Sequence, residues 1–173
     1  MDHHELALAI AAVAHLTGEF RLRSGATSSE YFDKYQFESR PALLRAIAQL
    51  LAALIPKETE MLAGLELGGV PIATALSLET GLPVAFVRKE AKAYGTCRFA
   101  EGASVAQKRV LIVEDVVTSG GQIVLSAKAL RSIGAELVGA VCVIDREAGG
   151  REALSAIGLG LWCLFDKSDL GDS

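Results

Sequence analysis

From residue 61 onward, short apolar runs alternate with longer amphipathic ones, and that rhythm leaves few folds open. Residues 61–67 (MLAGLEL), 84–89 (VAFVRK), 109–115 (RVLIVED), 135–146 (AELVGAVCVIDR) and 159–170 (LGLWCLFDKSDL) read as strands, the last with a tail. Between them, 70–80, 121–134 and 149–158 carry helical spacing, with Gly81 and Gly134 as stops. Crossovers of ten or more residues let successive strands run parallel, and strands covered by helices on both faces become apolar throughout. Residues 110–113, VLIV, have that character. The expectation is one α/β domain over 1–173, with a mainly parallel central sheet flanked by helices.

The first sixty residues differ. Residues 2–16 read as an alanine- and leucine-rich helix with an acidic first turn, and Pro41 opens another that runs to about 55. Between them, 19–35 (EFRLRSGATSSEYFDKY) reads as short alternating strands around a Ser/Gly/Thr turn. Residues 90–104 form a polar loop with two glycines, partly hairpin.

At 173 residues and 51% hydrophobic content, the chain can bury a substantial core. A formal charge of −4 gives no case for a nucleic-acid or membrane surface, and no apolar run approaches the roughly 18 residues of a membrane span. The N-terminus lacks the basic segment of a signal peptide, which points to the cytoplasm. Cys97, Cys142 and Cys163 show no metal-binding or redox spacing, and His3, His4 and His15 all fall in the first helical segment. Histidine-based catalysis is therefore disfavoured.

In parallel sheets, ligands gather at the carboxyl ends of the strands. Here those ends are 64–69, 88–96, 114–121 and 145–150, each carrying glycine, charge or both. The third is the most telling. Glu114 and Asp115 close an apolar strand, and Thr118, Ser119, Gly120 and Gly121 offer hydroxyls and backbone amides at a helix start, a natural phosphate cradle. The spacing fits neither a Walker A loop nor a dinucleotide fingerprint. A cradle beside two acceptors of hydroxyl hydrogen bonds suits a phosphorylated sugar. The plainer alternative is a capped turn with solvated acids.

The stretch VLIVEDVVTSGG resembles the phosphoribosyl-pyrophosphate signature of type I phosphoribosyltransferases. The resemblance implies that Glu114 and Asp115 take the ribose hydroxyls of 5-phosphoribosyl 1-diphosphate. Thr118, Ser119, Gly120 and Gly121 would take its phosphate, flanked by Val117 and Gln122. VRKEAKAYGT followed by EG is similar to the catalytic loop of orotate phosphoribosyltransferases, which closes over a neighbouring subunit's site. This implies a homodimer in which loop 88–102 reaches the partner, with Lys92 as principal catalytic group beside Arg88 and Lys89. Cations there suit a diphosphate leaving group.

CVIDREAGG resembles the strand end at which that family reads the acceptor, so Arg146 would pair with the orotate carboxylate. A surface ion pair between Asp145 and Arg146 is the bland alternative. RLRSGATSSEYFDK is similar to the family's hood, here mainly residues 18–40. It implies Arg23, Phe32 and Lys34, with Thr118 and Tyr31, around the base. The match covers about 18–165 and has two departures. Tyr94 stands where many members have histidine. GLELGGVP has Gly68 or Gly69 where several carry a lysine, leaving Gly68 and Gly69 to offer backbone amides to diphosphate.

The implied reaction joins orotate to the donor, giving orotidine 5′-monophosphate and diphosphate in pyrimidine synthesis. Mg²⁺ would ride on the donor's oxygens, with no protein group coordinating it directly and Asp115 in reach through water. A purine phosphoribosyltransferase and a noncatalytic sensor of the donor remain as alternatives.

Overall fold

The computed structural model describes residues 1–21, 25–90 and 99–170. Helix α1 (His3–Ala14) starts at a reciprocal cap in which Asp2 accepts from the Glu5 amide and Glu5 accepts from that of Asp2. It stops short of the expected residue 16. His15 and Leu16 instead open β1 (His15–Arg21), which pairs antiparallel with β2 (Thr27–Phe32). Cross-strand pairing with Phe32 and Tyr31 outcompetes another helical turn there, and Phe20 stacks on Tyr31 at 5.5 Å between ring centres. One element had no counterpart in the sequence reading: α2 (Tyr35–Glu38), a single turn ahead of α3 (Pro41–Ala52).

The remaining elements follow the expected alternation: β3 (Met61–Leu65), α4 (Gly69–Thr80), β4 (Val84–Val87), β5 (Ala100–Gly102), β6 (Arg109–Val117), α5 (Gly121–Ser132), β7 (Glu136–Asp145), α6 (Gly150–Ser155) and β8 (Leu161–Asp166). A short 3₁₀ turn covers Lys167–Leu170. The main sheet has the order β5-β4-β3-β6-β7-β8. All its pairings are parallel except that of β5 with β4, the hairpin half foreseen in the polar loop.

Both faces are covered, which is why the strands are apolar along their length. Leu62, Leu111, Val113, Val141 and Val143 pack with α1, α3 and α4, while Met61, Ala63, Val110, Ile112, Ala140 and Cys142 pack with α5 and α6. Each of the leucine, valine, isoleucine and methionine side chains among them, fully buried, contributes about 1.5–3 kcal/mol relative to exposure. Cys142 is a core residue, and Cys163 is half-buried. Cys97 lies outside the described residues. No helix among the described residues is long and apolar enough to cross a membrane.

Strand β6 runs two residues past its expected end at 115. Glu114 pairs with Cys142, Val116 with Ile144 and Val117 with Asp145. The two acids are therefore inside the sheet rather than at a solvent-open exit. Asp115 is fully buried and Glu114 is 9% exposed, which excludes the plainer alternative of solvated loop acids.

Candidate active site

Alternation along β6 sends its two acids to different neighbours. Glu114 lines a cavity of about 240 Å³ with Val116, Val117, Thr118, Ser119 and the first turn of α5. Thr118 and Ser119 are exposed there, and Gly120 turns the chain at φ 72° into the helix. A side chain at Gly120 would start 2.9 Å from Leu154 and 3.2 Å from the Gly150 backbone, so only glycine lets this turn lie against α6. The first amides of α5 have no partner within the helix, and the chain delivers them to this cavity. The predicted phosphate cradle, Thr118 through Gly121, and its flanks Val117 and Gln122 thus line one cavity with Glu114.

Asp115 faces the N-terminal segment instead. Its Oδ1 accepts from the Val116 amide at 2.6 Å, and Lys34 Nζ sits 2.5 Å from its Oδ2. Beneath lies the loop after β3. A β-carbon at Gly68 would fall 1.5 Å from Asp115 Oδ2. A side chain at 68 would therefore require the buried Asp115 carboxylate to move. Gly69 opens α4 next to it. Glu66, in the same loop, accepts from the Lys89 amide at 2.6 Å and ties the basic loop's first residues to it. Lys89 is exposed and Arg88 half-buried.

Glu38, which the sequence reading did not select, completes the cluster. It is 5% exposed and lies against Asp115. Its only sequence signal was a carboxylate in an otherwise hydrophobic-leaning turn, YQFES, and distinguishing that from a surface residue required the fold. Burial, then the hydrogen bond and charge of Asp115, push the Glu38 carboxyl up to about 9. Burial and then the charge of Asp115 hold Glu114 well above the usual carboxylate range. For Asp115 burial acts upward, but hydrogen bonds from Glu38, Glu114 and Lys34 outweigh it and keep it below its ordinary value. Burial would lower Lys34, yet its bond to Asp115 and the charges of Asp115 and Glu114 hold it above its ordinary value. Asp115 and Lys34 form an ion pair, and beside it burial disfavours the charged forms of Glu38 and Glu114.

This charge pattern carries a sign. An acid with a folded pKa above its unfolded one stabilises the fold at low pH, and that stability is lost as pH rises towards the folded value. For Glu38 the window runs from about 4.5 to about 9. The limit for one group is about 1.4 kcal/mol per pH unit, a few degrees of Tm in a chain of this size. Glu38→Gln, which cannot ionise, should therefore flatten the fall in Tm between pH 6 and 9 seen by calorimetry. An equally steep fall in the variant would show that Glu38 is already ionised.

A second cavity, of about 280 Å³, is lined by Tyr31, Phe32, Lys34, Val116, Thr118 and Arg146. It shares Val116 and Thr118 with the cradle, so the two open side by side. The Arg146 guanidinium lies 5.6 Å from the centre of the Phe32 ring. Asp145 does not form the surface pair with Arg146 that was the bland alternative. It is fully buried, accepts from the Glu147 amide at 2.9 Å, and meets Arg151 Nε at 2.7 Å. Arg151 also donates to Leu161 O, Cys163 Sγ and Asp166 Oδ1, locking β7 to β8 behind the site.

Arg23, Lys92 and Tyr94 lie outside the described residues. Of the predicted site residues among those described, Arg146, Phe32, Lys34 and Thr118 line one cavity and Glu114, Val117, Thr118, Ser119, Gly120, Gly121 and Gln122 the other, while Asp115 lines neither and is buried against Lys34 and Gly68. The oxygens of Asp115 and Glu114 are turned to Lys34 and to backbone amides rather than converged as a cation cage. Among the described residues, Asp145, Cys163 and Asp166 do converge, but the Arg151 guanidinium already bonds all three.

Residues 34–156 match the model of the phosphoribosyl transferase domain. An orotate phosphoribosyltransferase of a Nocardioides species is 50% identical over 165 residues, 95% of this chain and 92% of that protein. The crystal structure of Mycobacterium tuberculosis orotate phosphoribosyltransferase with Fe(III) dicitrate superposes with a TM-score of 0.88 at 33% identity, covering 99% of each chain. The same enzyme in complex with 5-phospho-α-D-ribosyl 1-diphosphate gives a TM-score of 0.85 at 30% identity, again over 99% of both. With a cradle at the end of β6, an arginine-lined cavity beside it and these likenesses along nearly the whole chain, this protein belongs to the phosphoribosyltransferase family, within its orotate phosphoribosyltransferases.

Proposed function

We propose that this chain transfers phosphoribosyl from 5-phosphoribosyl 1-diphosphate to orotate, giving orotidine 5′-monophosphate and diphosphate. The observation that carries the reading is the adjacency of the two cavities, one suited to a sugar phosphate and one walled by Arg146 and Phe32. The cradle takes the 5′-phosphate at Thr118 to Gly121, and Glu114 and Asp115 accept from the ribose hydroxyls. The pyrimidine lies by Phe32 with its carboxylate on Arg146, which can donate two parallel bonds to it. Lys34 stands at the junction, on Asp115 and in the wall of the acceptor cavity.

In the reaction, the bond from C1′ to the diphosphate oxygen breaks and its electron pair leaves with diphosphate. The orotate ring nitrogen supplies the pair for the new C1′–N bond and loses its proton to the leaving group or to water. Arg88, Lys89 and Lys92 neutralise the departing oxygens, and Gly68 and Gly69 offer amides to them. Mg²⁺, when bound, would supply further charge neutralisation there, with Asp115 in reach of it through water. Asp115 and Glu114 orient the sugar, and closure of loop 88–102 excludes the water that would hydrolyse the donor. A homodimer, with that loop serving the partner's site, and a cytoplasmic location complete the reading.

The test is ultraviolet monitoring of orotate consumption with the donor and Mg²⁺, beside adenine, hypoxanthine and uracil. Turnover of a purine in preference to orotate would overturn the acceptor assignment, and donor binding without any turnover would make the chain a sensor. Arg146→Ala should raise the KM for orotate at least tenfold with little change in donor affinity. Equal use of orotate by parent and variant would remove the main residue of the acceptor site.

A further inference from the structure

Glu38 is buried at 5% exposure, and among the described residues neither of its carboxyl oxygens receives a hydrogen bond. It stands one helical turn from Lys34, whose carbonyl accepts from the Glu38 amide at 3.3 Å and whose Nζ meets Oδ2 of Asp115, and this brings it to Asp115, also an acceptor. Two carboxylates cannot lie against each other in a closed site without a proton between them. The proton belongs on Glu38, because Asp115 already has a cation and the Val116 amide to stabilise its charge.

The support of this carboxyl is as built as the carboxyl itself. Glu38 ends the one-turn helix α2, and Lys34 immediately precedes it. Phe37 is fully buried and tilts against Phe32 at 6.5 Å between ring centres. Asp33 holds the turn from outside, accepting from the Tyr35 amide at 3.1 Å and the Gln36 side chain at 3.0 Å. Gly68 closes the other side of Asp115 Oδ2. A rigid turn thus presents a cation and a neutral donor to one buried carboxylate.

We propose that Glu38 is a positioning residue of the donor site, donating a hydrogen bond to Asp115 that fixes this carboxylate for a ribose diol. The role rests on the reading of Asp115 as a ribose acceptor. Without the bond, Asp115 is free to turn fully onto Lys34, and the diol then meets a carboxylate that must first be reoriented. The effect belongs to donor binding, because the group that Glu38 holds is Asp115, read as the ribose acceptor.

The test uses the full chain and titrates 5-phosphoribosyl 1-diphosphate with Mg²⁺ by calorimetry into the parent, Glu38→Gln, Glu38→Leu and Asp115→Ala. The glutamine amide can donate to Asp115 without adding charge, so Glu38→Gln should bind the donor within about threefold of the parent. Glu38→Leu, of similar bulk but with no donor, should weaken binding about tenfold or more and leave the KM for orotate at saturating donor unchanged. Where the leucine variant fails to melt cooperatively, Glu38→Met takes its place. Donor affinity intact in the apolar variant but lost in Asp115→Ala would overturn the role of Glu38 alone. So would a glutamine variant as weak as the leucine one. Intact affinity in Asp115→Ala would instead sink the donor-site reading itself.

Discussion

Asp115→Ala is expected to weaken binding of 5-phosphoribosyl 1-diphosphate by about ten- to hundredfold, the loss of 1.5–3 kcal/mol typical of a hydrogen bond to a charged group. It should also destabilise the fold, which a carboxylate in open solvent would not do. Asp115 is fully buried, and its removal leaves Lys34 Nζ and the Glu38 carboxyl without their acceptor. An unsatisfied buried donor costs about 1–3 kcal/mol, or several degrees of Tm at 2–4 °C per kcal/mol. Lys34 is one-third exposed and can turn to water, which limits its share of that cost. Calorimetric titration and a melting curve on the same preparation check both parts. Unchanged donor affinity would reject Asp115 as the ribose acceptor, and an unchanged Tm would reject the buried cluster.

Lys92→Ala should act on rate rather than on ground-state binding. Removing one group that stabilises charge in the transition state typically costs about 10²–10³ in kcat, with orotate affinity nearly intact. Lys92 is outside the described residues, but the segment around it starts and ends at fixed points. The Lys89 amide donates to Glu66 at 2.6 Å, and the Arg88 amide donates to Phe99 O at 2.9 Å. In the proposed homodimer, mixing Lys92→Ala with Asp115→Ala should recover up to about a quarter of parental activity, because half the dimers are mixed and each has one complete site. Subunit exchange verified by mass, with no recovery, would mean that Lys92 serves its own subunit.

How much of this was legible beforehand depends on the range over which each feature is set. Strands β3, β4, β6, β7 and β8 and helices α4, α5 and α6 were readable because apolar runs, Gly81 and Gly134 encode them locally. The boundaries that moved were those decided by a partner strand. His15 and Leu16 have helical propensity in context, yet pair with β2, and β6 continues through Val117 because β7 lies alongside. The cradle at Thr118 to Gly121 was equally readable, since a helix start after a strand needs no distant residue to be recognised.

The amino-acid sequence by itself determined the α/β alternation, the phosphate cradle and, through likeness to a family, the arginine at the end of β7. It could not determine the protonation or the burial of the acids beside the cradle. Those depend on Lys34, Glu38, Gly68 and Asp115, which are distant along the chain and meet only when the hood folds over β3 and β6. Burial at that meeting point raises the cost of every uncompensated charge, so Glu38 and Glu114 are pushed above the usual carboxylate range while Lys34 and hydrogen bonds hold Asp115 below it. Gly68 in place of a lysine reads in the sequence as a missing cation. In three dimensions it is the space that Asp115 occupies, and the nearby cation comes from Lys34 instead.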